Sequence, residues 1–328
     1  MSNVSIGAPE KKTRSKLDLG YLLGKYNLLI LLVVFIIIAS TLSSRFFTVQ
    51  NFLNLLQQSS VTGIMAIGMT FVILVAGIDL SVGSIAALSG MVVAMLLAAG
   101  WPIPLAILLA LAAGGVLGFV SGFLSTKFNI PSFIATLAMM VSARGLALLV
   151  TNGQPIFGLP ESFSFLGAGF IGRVPVSGLI WIVLTIVAAL ALKYTPYGRN
   201  LYAVGGNPEA AHLSGVRVNR HLISVFVISG ILSGLAGVVL TSWLTVGQPT
   251  ASTGTELNAI AAVVLGGTSL AGGVGGVVGT FAGVLLMSII TNIFNLVGLA
   301  SYYQQIFMGL IIVLALILNK FVMGKNAH

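Results

Sequence analysis

Charge is scarce in this chain. Of its 328 residues only 6% are Asp, Glu, Lys or Arg, against roughly a quarter in an ordinary soluble domain. Acids are scarcer still, six against fifteen Lys and Arg. Cysteine is absent, which excludes disulfides and thiolate metal sites and leaves the redox compartment open. The three histidines, His212, His221 and His328, form no HExxH or comparable cluster, so no metal site is expected. There is no G-x-x-x-x-G-K-[ST] phosphate loop. The only Gly-Lys pairs, Gly24-Lys25 and Gly324-Lys325, lack both the upstream glycine and the following hydroxyl. No Ser/His/Asp set shares a depth in the chain, so no catalytic residue is expected, and no string of acids forms the relay that proton-coupled carriers tend to use.

What remains is apolar. Hydrophobic residues make up 57% of the chain, enough for about ten transmembrane helices of roughly twenty residues each, some of them half-length. The expected fold is an all-α polytopic membrane protein with interrupted or re-entrant segments. A polar tail (1–25) precedes a transmembrane domain (26–320), and a second short tail (321–328) follows it. The first apolar run begins after a basic tail and has no small-residue cleavage site behind it, so it reads as a retained anchor. Residues 43–60 read as an amphipathic segment along the interface, with Phe46, Phe47 and Phe52 on it. Gly114, Gly118 and Gly122, then Gly230, Gly234 and Gly237, then Gly275, Gly279 and Gly283, are small-residue faces that let helices pack closely in lipid.

The net charge of +9 is a topology signal rather than a nucleic-acid signal. With the N-terminus inside, Lys11, Lys12, Arg14, Lys16, Lys25, Lys127, Lys193, Arg199, Arg217, Arg220, Lys320 and Lys325 fall on the cytoplasmic face. Only Arg45 and Arg173 fall outside, and Arg144 lies within the fifth span. That asymmetry is the positive-inside pattern, and it puts both termini in the cytoplasm.

The polar stretch 197–219, YGRNLYAVGGNPEAAHLSGVRVN, lies between two apolar spans inside a cytoplasmic loop, 195–220. It contains a punctuated short helix. Asn207 is a good N-cap, Pro208 suits the first helical position, and Glu209 favours the positive end of the dipole. Ala210, Ala211, His212, Leu213 and Ser214 continue the turn, and Gly215 fits a left-handed stop. With a small Ala210–Ala211 face for close approach, it reads either as a docking knob for a partner or as an ordinary loop helix lying on the membrane.

Two apolar stretches are interrupted alike, AGIDLSVGS (76–84) and LGGTSLAGG (265–273). Non-helical backbone at membrane depth survives only if it is buried in protein or lines a water-filled cavity. Both read as re-entrant turns or half-helix joints lining a path or gate, with tight cytoplasmic hairpins as the other reading. Gly77, Asp79, Ser81, Gly83 and Ser84 in the first, and Gly266, Gly267, Thr268 and Ser269 in the second, are the path candidates. Asp79 either caps the following helix, the favoured reading, or pairs with a cation. Arg144 pairs with carbonyls or acids in the bundle, or else faces a path through it. Phe71, Asn292, Asn295, Tyr302, Tyr303 and Gln304 supply further aromatic and amide groups suited to lining such a path.

Several of these stretches together resemble the permease subunits of bacterial ABC importers for monosaccharides, most closely the ribose branch. The matching segments are GIMAIGMTFVILVAGIDLSVGSIAALSG (63–90), FIATLAMM (133–140), TNGQP (151–155), GGNPEAAHLSGV (205–216), AIAAVVLGGTSLAGG (259–273) and SYYQ (301–304). The likeness covers nearly the whole chain after the N-terminal tail. It departs at GGVGG (272–276), where a Lys or other polar residue is expected beside the glycines. The resemblance implies a homodimer in the bacterial inner (plasma) membrane, a sugar-binding protein outside and an ATP-binding subunit inside. ATP and magnesium would bind to that partner; no cofactor is expected in this chain. Residues 209–215 would sit in a groove of the ATPase, and a capped helix is stiff enough to transmit a push.

Overall fold

The computed structural model describes residues 27–300, 302–310 and 313. The two tails, with Lys11, Lys12, Arg14, Lys16, Lys25 and Lys325, lie outside the described residues. So do Lys320 and the end of the tenth expected span.

The described chain is helical, apart from short turns and a two-residue ribbon pairing Phe170 with Pro175 and Ile171 with Val174. The helices are α1 (Asn27–Leu42), α2 (Val49–Leu74), α3 (Val82–Ala98), α4 (Ile103–Lys127) and α5 (Ser132–Leu149). They continue with α6 (Phe165–Ala168), α7 (Val176–Tyr194), α8 (Pro196–Gly206), α9 (Pro208–Leu213) and α10 (Val218–Leu244), and end with α11 (Thr255–Leu265) and α12 (Val277–Val297). Among the described residues six helices, α2, α4, α5, α7, α10 and α12, are long and apolar enough to cross a membrane, while α1, α3 and α11 are shorter apolar helices. The chain is a multi-pass membrane protein.

Two helices form the centre. α10 packs on α2, α3 and α4, and α2 packs on α7, α10, α11 and α12. In the α4–α10 seam glycine faces glycine: a Cβ on Gly114 would meet the Gly230 carbonyl and lie 3.4 Å from the Gly234 Cα. In lipid, where apolar burial gives helices no reason to associate, such contact supplies the dispersion that holds the pair together. The glycine faces at 114–122 and 230–237 therefore do what their spacing promised. In the third face, Gly279 and Gly283 close on the backbone of α11, but Gly275 precedes α12 and sits in the turn against Thr268.

Within the segment 43–60, Phe47 and Phe52 stay exposed, and residues 49–60 are continuous with a long helix. They form the first turns of α2, capped where the Thr48 hydroxyl accepts from the Asn51 N–H. Phe46 is buried beneath Ala39, Leu55, Ile289 and Ile293. The reason is Asn51: its amide donates to the Phe46 carbonyl at 3.0 Å and exchanges hydrogen bonds with Asn292 of α12 at 3.0 and 2.9 Å. This clasp draws the segment into the bundle.

Candidate functional site

The two interrupted segments are built differently. α2 and α3 are consecutive and share α10 as a neighbour, but they do not pack on each other: α3 goes on to α4 and α5, α2 to α7 and α12. Residues 75–81 are therefore a joint that carries the chain from one part of the bundle to another, and the hairpin reading fails for this segment. Their backbone is satisfied by hydroxyls of α5: the Ile78 N–H donates to Ser132 Oγ at 3.2 Å and the Leu80 N–H to Thr136 Oγ1 at 3.1 Å. Asp79 is fully buried in this joint. One carboxylate oxygen accepts from the Ser81 N–H (3.0 Å) and Ser81 Oγ (2.5 Å), and the other from Ser229 Oγ of α10 (2.7 Å). Ser229 lies eleven residues into α10, or ~16 Å along its axis. The expected helix cap is thus corrected. Ser81 holds the N-cap position of α3 with helical backbone and no side-chain cap bond. Asp79 instead ties the joint to the central helix, because Ser229 reaches the carboxylate that would otherwise turn back on the helix end.

α3 begins against a second helix start. Gly83 faces the Ser252 carbonyl oxygen and the Glu256 carboxylate, so closely that a Cβ at Gly83 would lie 2.5 Å from that oxygen. Glu256 stands in the first turn of α11 and accepts from the Gly254 N–H at 3.2 Å, where the dipole of α11 favours an anion. Ser84, on the next position, is buried. Arg144 of α5 donates to the Pro249 and Ala251 carbonyls at 2.6 and 2.9 Å, pinning the loop that leads to Glu256. Of its two readings, structural pairing with carbonyls is the one observed.

The second interrupted segment is a turn between packed partners, α11 and α12; α11 is a short apolar helix and not among the six long enough to cross a membrane, which fits the half-helix reading there. Gly266 rests on the Gly279 backbone, and Gly267 (φ 86°) takes the left-handed conformation. Thr268 is buried and accepts from the Gly276 N–H at 3.3 Å, while the Ser269 N–H donates to the Val274 carbonyl at 2.9 Å.

Both turns meet one helix, α8. The Gly273 N–H donates to the carbonyl of Leu74, the last residue of α2, at 2.9 Å. Gly205 of α8 lies against both groups, and Tyr202 of α8 donates its hydroxyl to the Gly275 carbonyl at 2.9 Å. Burial raises the Tyr202 phenol pKa above its ordinary value. α8 is continuous with α9, sharing Asn207 as the C-cap of one and the N-cap of the other. The Asn207 side chain accepts from the Ala210 N–H at 2.9 Å, and Gly215 closes the motif at φ 85°. Glu209, Ala210, His212 and Leu213 are exposed, Leu213 by 82%. Ala211 is not: it is 4% exposed and belongs to the main core. The open Ala210–Ala211 face is thereby corrected to Ala210 alone, since a two-turn helix lying on α8 must turn one small residue inward.

On the far side of the bundle from α8 and α9, α2, α11 and α12 surround a cavity of about 170 Å³. Its polar lining is uncharged: Gln58, Thr62, Asn258, Ser288 and Thr291. Asn292 lies outside that lining, its amide taken up by Asn51. Phe71 is buried. Asn295 accepts from Gln304 at 2.9 Å, and Tyr302 packs on Tyr303 at 4.6 Å with both rings exposed. None of these four lines the cavity.

The model of the family described as branched-chain amino acid transport system / permease component matches residues 51–316. The ribose import permease protein of Haemophilus influenzae is 44% identical over 96% of this chain and 99% of its own. The proteins of the same name from Escherichia coli K12 and Bacillus subtilis are 47% and 46% identical, over 89% and 88% of this chain and 92% and 90% of theirs. The chain belongs to this permease family. No solved structure matches it.

α8 does not stand out in the sequence, although Thr195-Pro196 is an N-cap followed by an N1 proline. Nor do Glu256, whose place just after Gly254 marks a helix start, and the Ser132 and Thr136 pair, four apart at the head of an apolar span. The cavity residues Gln58 and Thr62, also four apart, carried the same signal.

Proposed function

We propose that this chain is the membrane-spanning subunit of an ATP-driven importer that passes a monosaccharide, D-ribose before others, across the bacterial inner membrane. The observation that carries the reading is the capped helix α9, held outside the bundle on α8, which itself bears on both interrupted turns. In a permease family whose ribose-importing relatives match along nearly the full chain, such a linkage supplies the mechanical connection that a separate ATPase needs.

In this reading α9 and its flanks, Asn207 to Gly215, dock on an ATP-binding subunit that carries the ATP and magnesium. A push on α9 reaches α8 and, through Gly205 and Tyr202, the ends of α2 and of the α11–α12 turn. Gly77, Asp79, Ser81, Gly83 and Ser84, with Gly266 to Ser269, then form the moving inner wall, and the neutral cavity at Gln58, Thr62, Asn258 and Ser288 lies on the sugar's route. Hydroxyls and amides suit a polyol because they exchange hydrogen bonds with it without the desolvation cost of a charge. The side bearing α8 and α9 is cytoplasmic, as the basic residues Lys127, Lys193, Arg199, Arg217 and Arg220 argue. About ten spans, a second copy of the chain and an extracytoplasmic sugar-binding protein complete the assembly.

The test is uptake of labelled ribose by cells making the whole importer, with ATP depleted in one arm and the proton gradient collapsed in the other. Loss on ATP depletion alone is expected. Loss on gradient collapse alone would make the chain an ion-driven carrier, and uptake of another monosaccharide in place of ribose would overturn the substrate.

A further inference from the structure

An apolar groove of about 320 Å³ runs between α2, α7 and α10, walled by residues such as Phe71, Leu184, Val187 and Ile231 with no polar surface. Tyr197 of α8 closes its end nearest the polar loop. The Tyr197 hydroxyl lies 2.7 Å from Ser224 Oγ, and its ring stacks on His221 at 5.6 Å. His221 in turn lines a second pocket of about 500 Å³, together with Asn200, Arg217 and Arg220. Neither Arg217 nor Arg220 meets a side-chain acceptor among the described residues. Glu209 shares the neighbouring cleft with both arginines, but within the described residues it forms no ion pair with either. The two pockets thus join at the Tyr197–His221 stack, an apolar channel on one side and unneutralised guanidinium groups on the other.

We propose that this composite site holds an anionic glycerophospholipid of the leaflet on the α8–α9 side, one acyl chain in the groove and the phosphate on Arg217 and Arg220. A chain that spans a membrane presents this groove to acyl chains, so the apolar half needs no other occupant. The basic half selects among lipids. A guanidinium fork matches a phosphate bidentately, and a membrane-surface arginine favours anionic over zwitterionic lipid by about fivefold. The Tyr197–His221 stack, amphipathic at the boundary between the two halves, sits at the depth of the glycerol backbone, where aromatic rings with polar edges concentrate.

The experiment uses the full chain, purified and placed in nanodiscs of palmitoyl-oleoyl phosphatidylethanolamine with or without one-fifth phosphatidylglycerol of the same chains. Native mass spectrometry counts retained lipid and a thermal ramp reads stability. The wild type is expected to retain phosphatidylglycerol over phosphatidylethanolamine by about tenfold or more, and to melt higher in its presence. The R217Q/R220Q chain should lose that preference. Ala191→Phe, which fills the groove and leaves both arginines, should melt as the wild type does without phosphatidylglycerol and gain nothing from it. Equal retention of the two lipids by the wild type, unchanged preference in R217Q/R220Q, or equal stabilisation by inorganic phosphate alone would overturn the proposal. So would a dimer that retains no lipid, since a second copy would then fill the groove.

Discussion

Gly205 and Gly206 are neighbours in α8, and replacing each by alanine tests how tightly that helix is seated. A Cβ on Gly205 would lie 2.5 Å from the Gly273 nitrogen, 3.0 Å from the Leu74 carbonyl carbon and nearer still to the Leu74 oxygen. All three are backbone atoms, so no rotamer change relieves the contact. To reach an ordinary van der Waals separation α8 must withdraw by about 1.5 Å, an overpacking strain of ~1–3 kcal/mol. The same shift parts the Gly273 N–H from the Leu74 carbonyl, now 2.9 Å apart, a further ~1 kcal/mol. Gly205→Ala should therefore destabilise the purified protein by ~2–4 kcal/mol and cut sugar uptake more than its amount in the membrane. Gly206→Ala is the matched control. Its Cβ meets nothing within 4 Å, so it should leave thermal stability unchanged or raise it by up to ~1 kcal/mol. A Gly205→Ala protein that melts with the wild type would refute the seating of α8 on the two turns.

Other consequences follow from the same geometry. Asp79→Ala strands Ser229 Oγ and the Ser81 N–H in the protein interior and should cost ~2–5 kcal/mol, read as a lowered melting temperature; Ser229→Ala should cost less, because Asp79 keeps both Ser81 bonds. Asn51→Leu or Asn292→Leu alone leaves a buried amide without its partner, at ~1–3 kcal/mol, whereas the double Leu variant should recover most of that loss in the same melt. Burial raises the Tyr202 phenol pKa from its ordinary 10.0, so its contribution is whole below pH 10 and is lost as pH rises through the higher folded value. The wild type should then fall in stability above pH 10 more steeply than Tyr202→Phe, which starts lower by ~1 kcal/mol for want of the bond to Gly275.

The helices were legible wherever one chain segment settles its own fate. Apolar length announced α4, α7 and α10, and the glycine spacing on α4 and α10 announced which faces would meet, since small residues every four positions leave few other packings. The cap at Asn207 and the left-handed Gly215 were readable because capping is local. What the sequence hid depends on distant partners. The fate of Asp79 turned on Ser229, 150 residues away, and the burial of Phe46 and Asn51 on Asn292. α8 was hidden by its polarity, which within an apolar chain looks like loop. The two interrupted segments look alike in composition, yet one is a joint and the other a turn between packed partners, because only α11 and α12 have glycines facing each other across the turn.

The proposed function requires α9 to be the surface that an ATPase grips. The chain has no cysteine, so Leu213→Cys, at a position 82% exposed, gives a single reporter. Its labelling rate by a membrane-impermeant maleimide is measured on the purified chain and on the assembled importer. Rapid labelling of the chain alone, and at least tenfold slower labelling once the ATP-binding subunit is present, is the predicted result. Equal rates in both would contradict it and leave α9 an ordinary loop helix at the membrane surface.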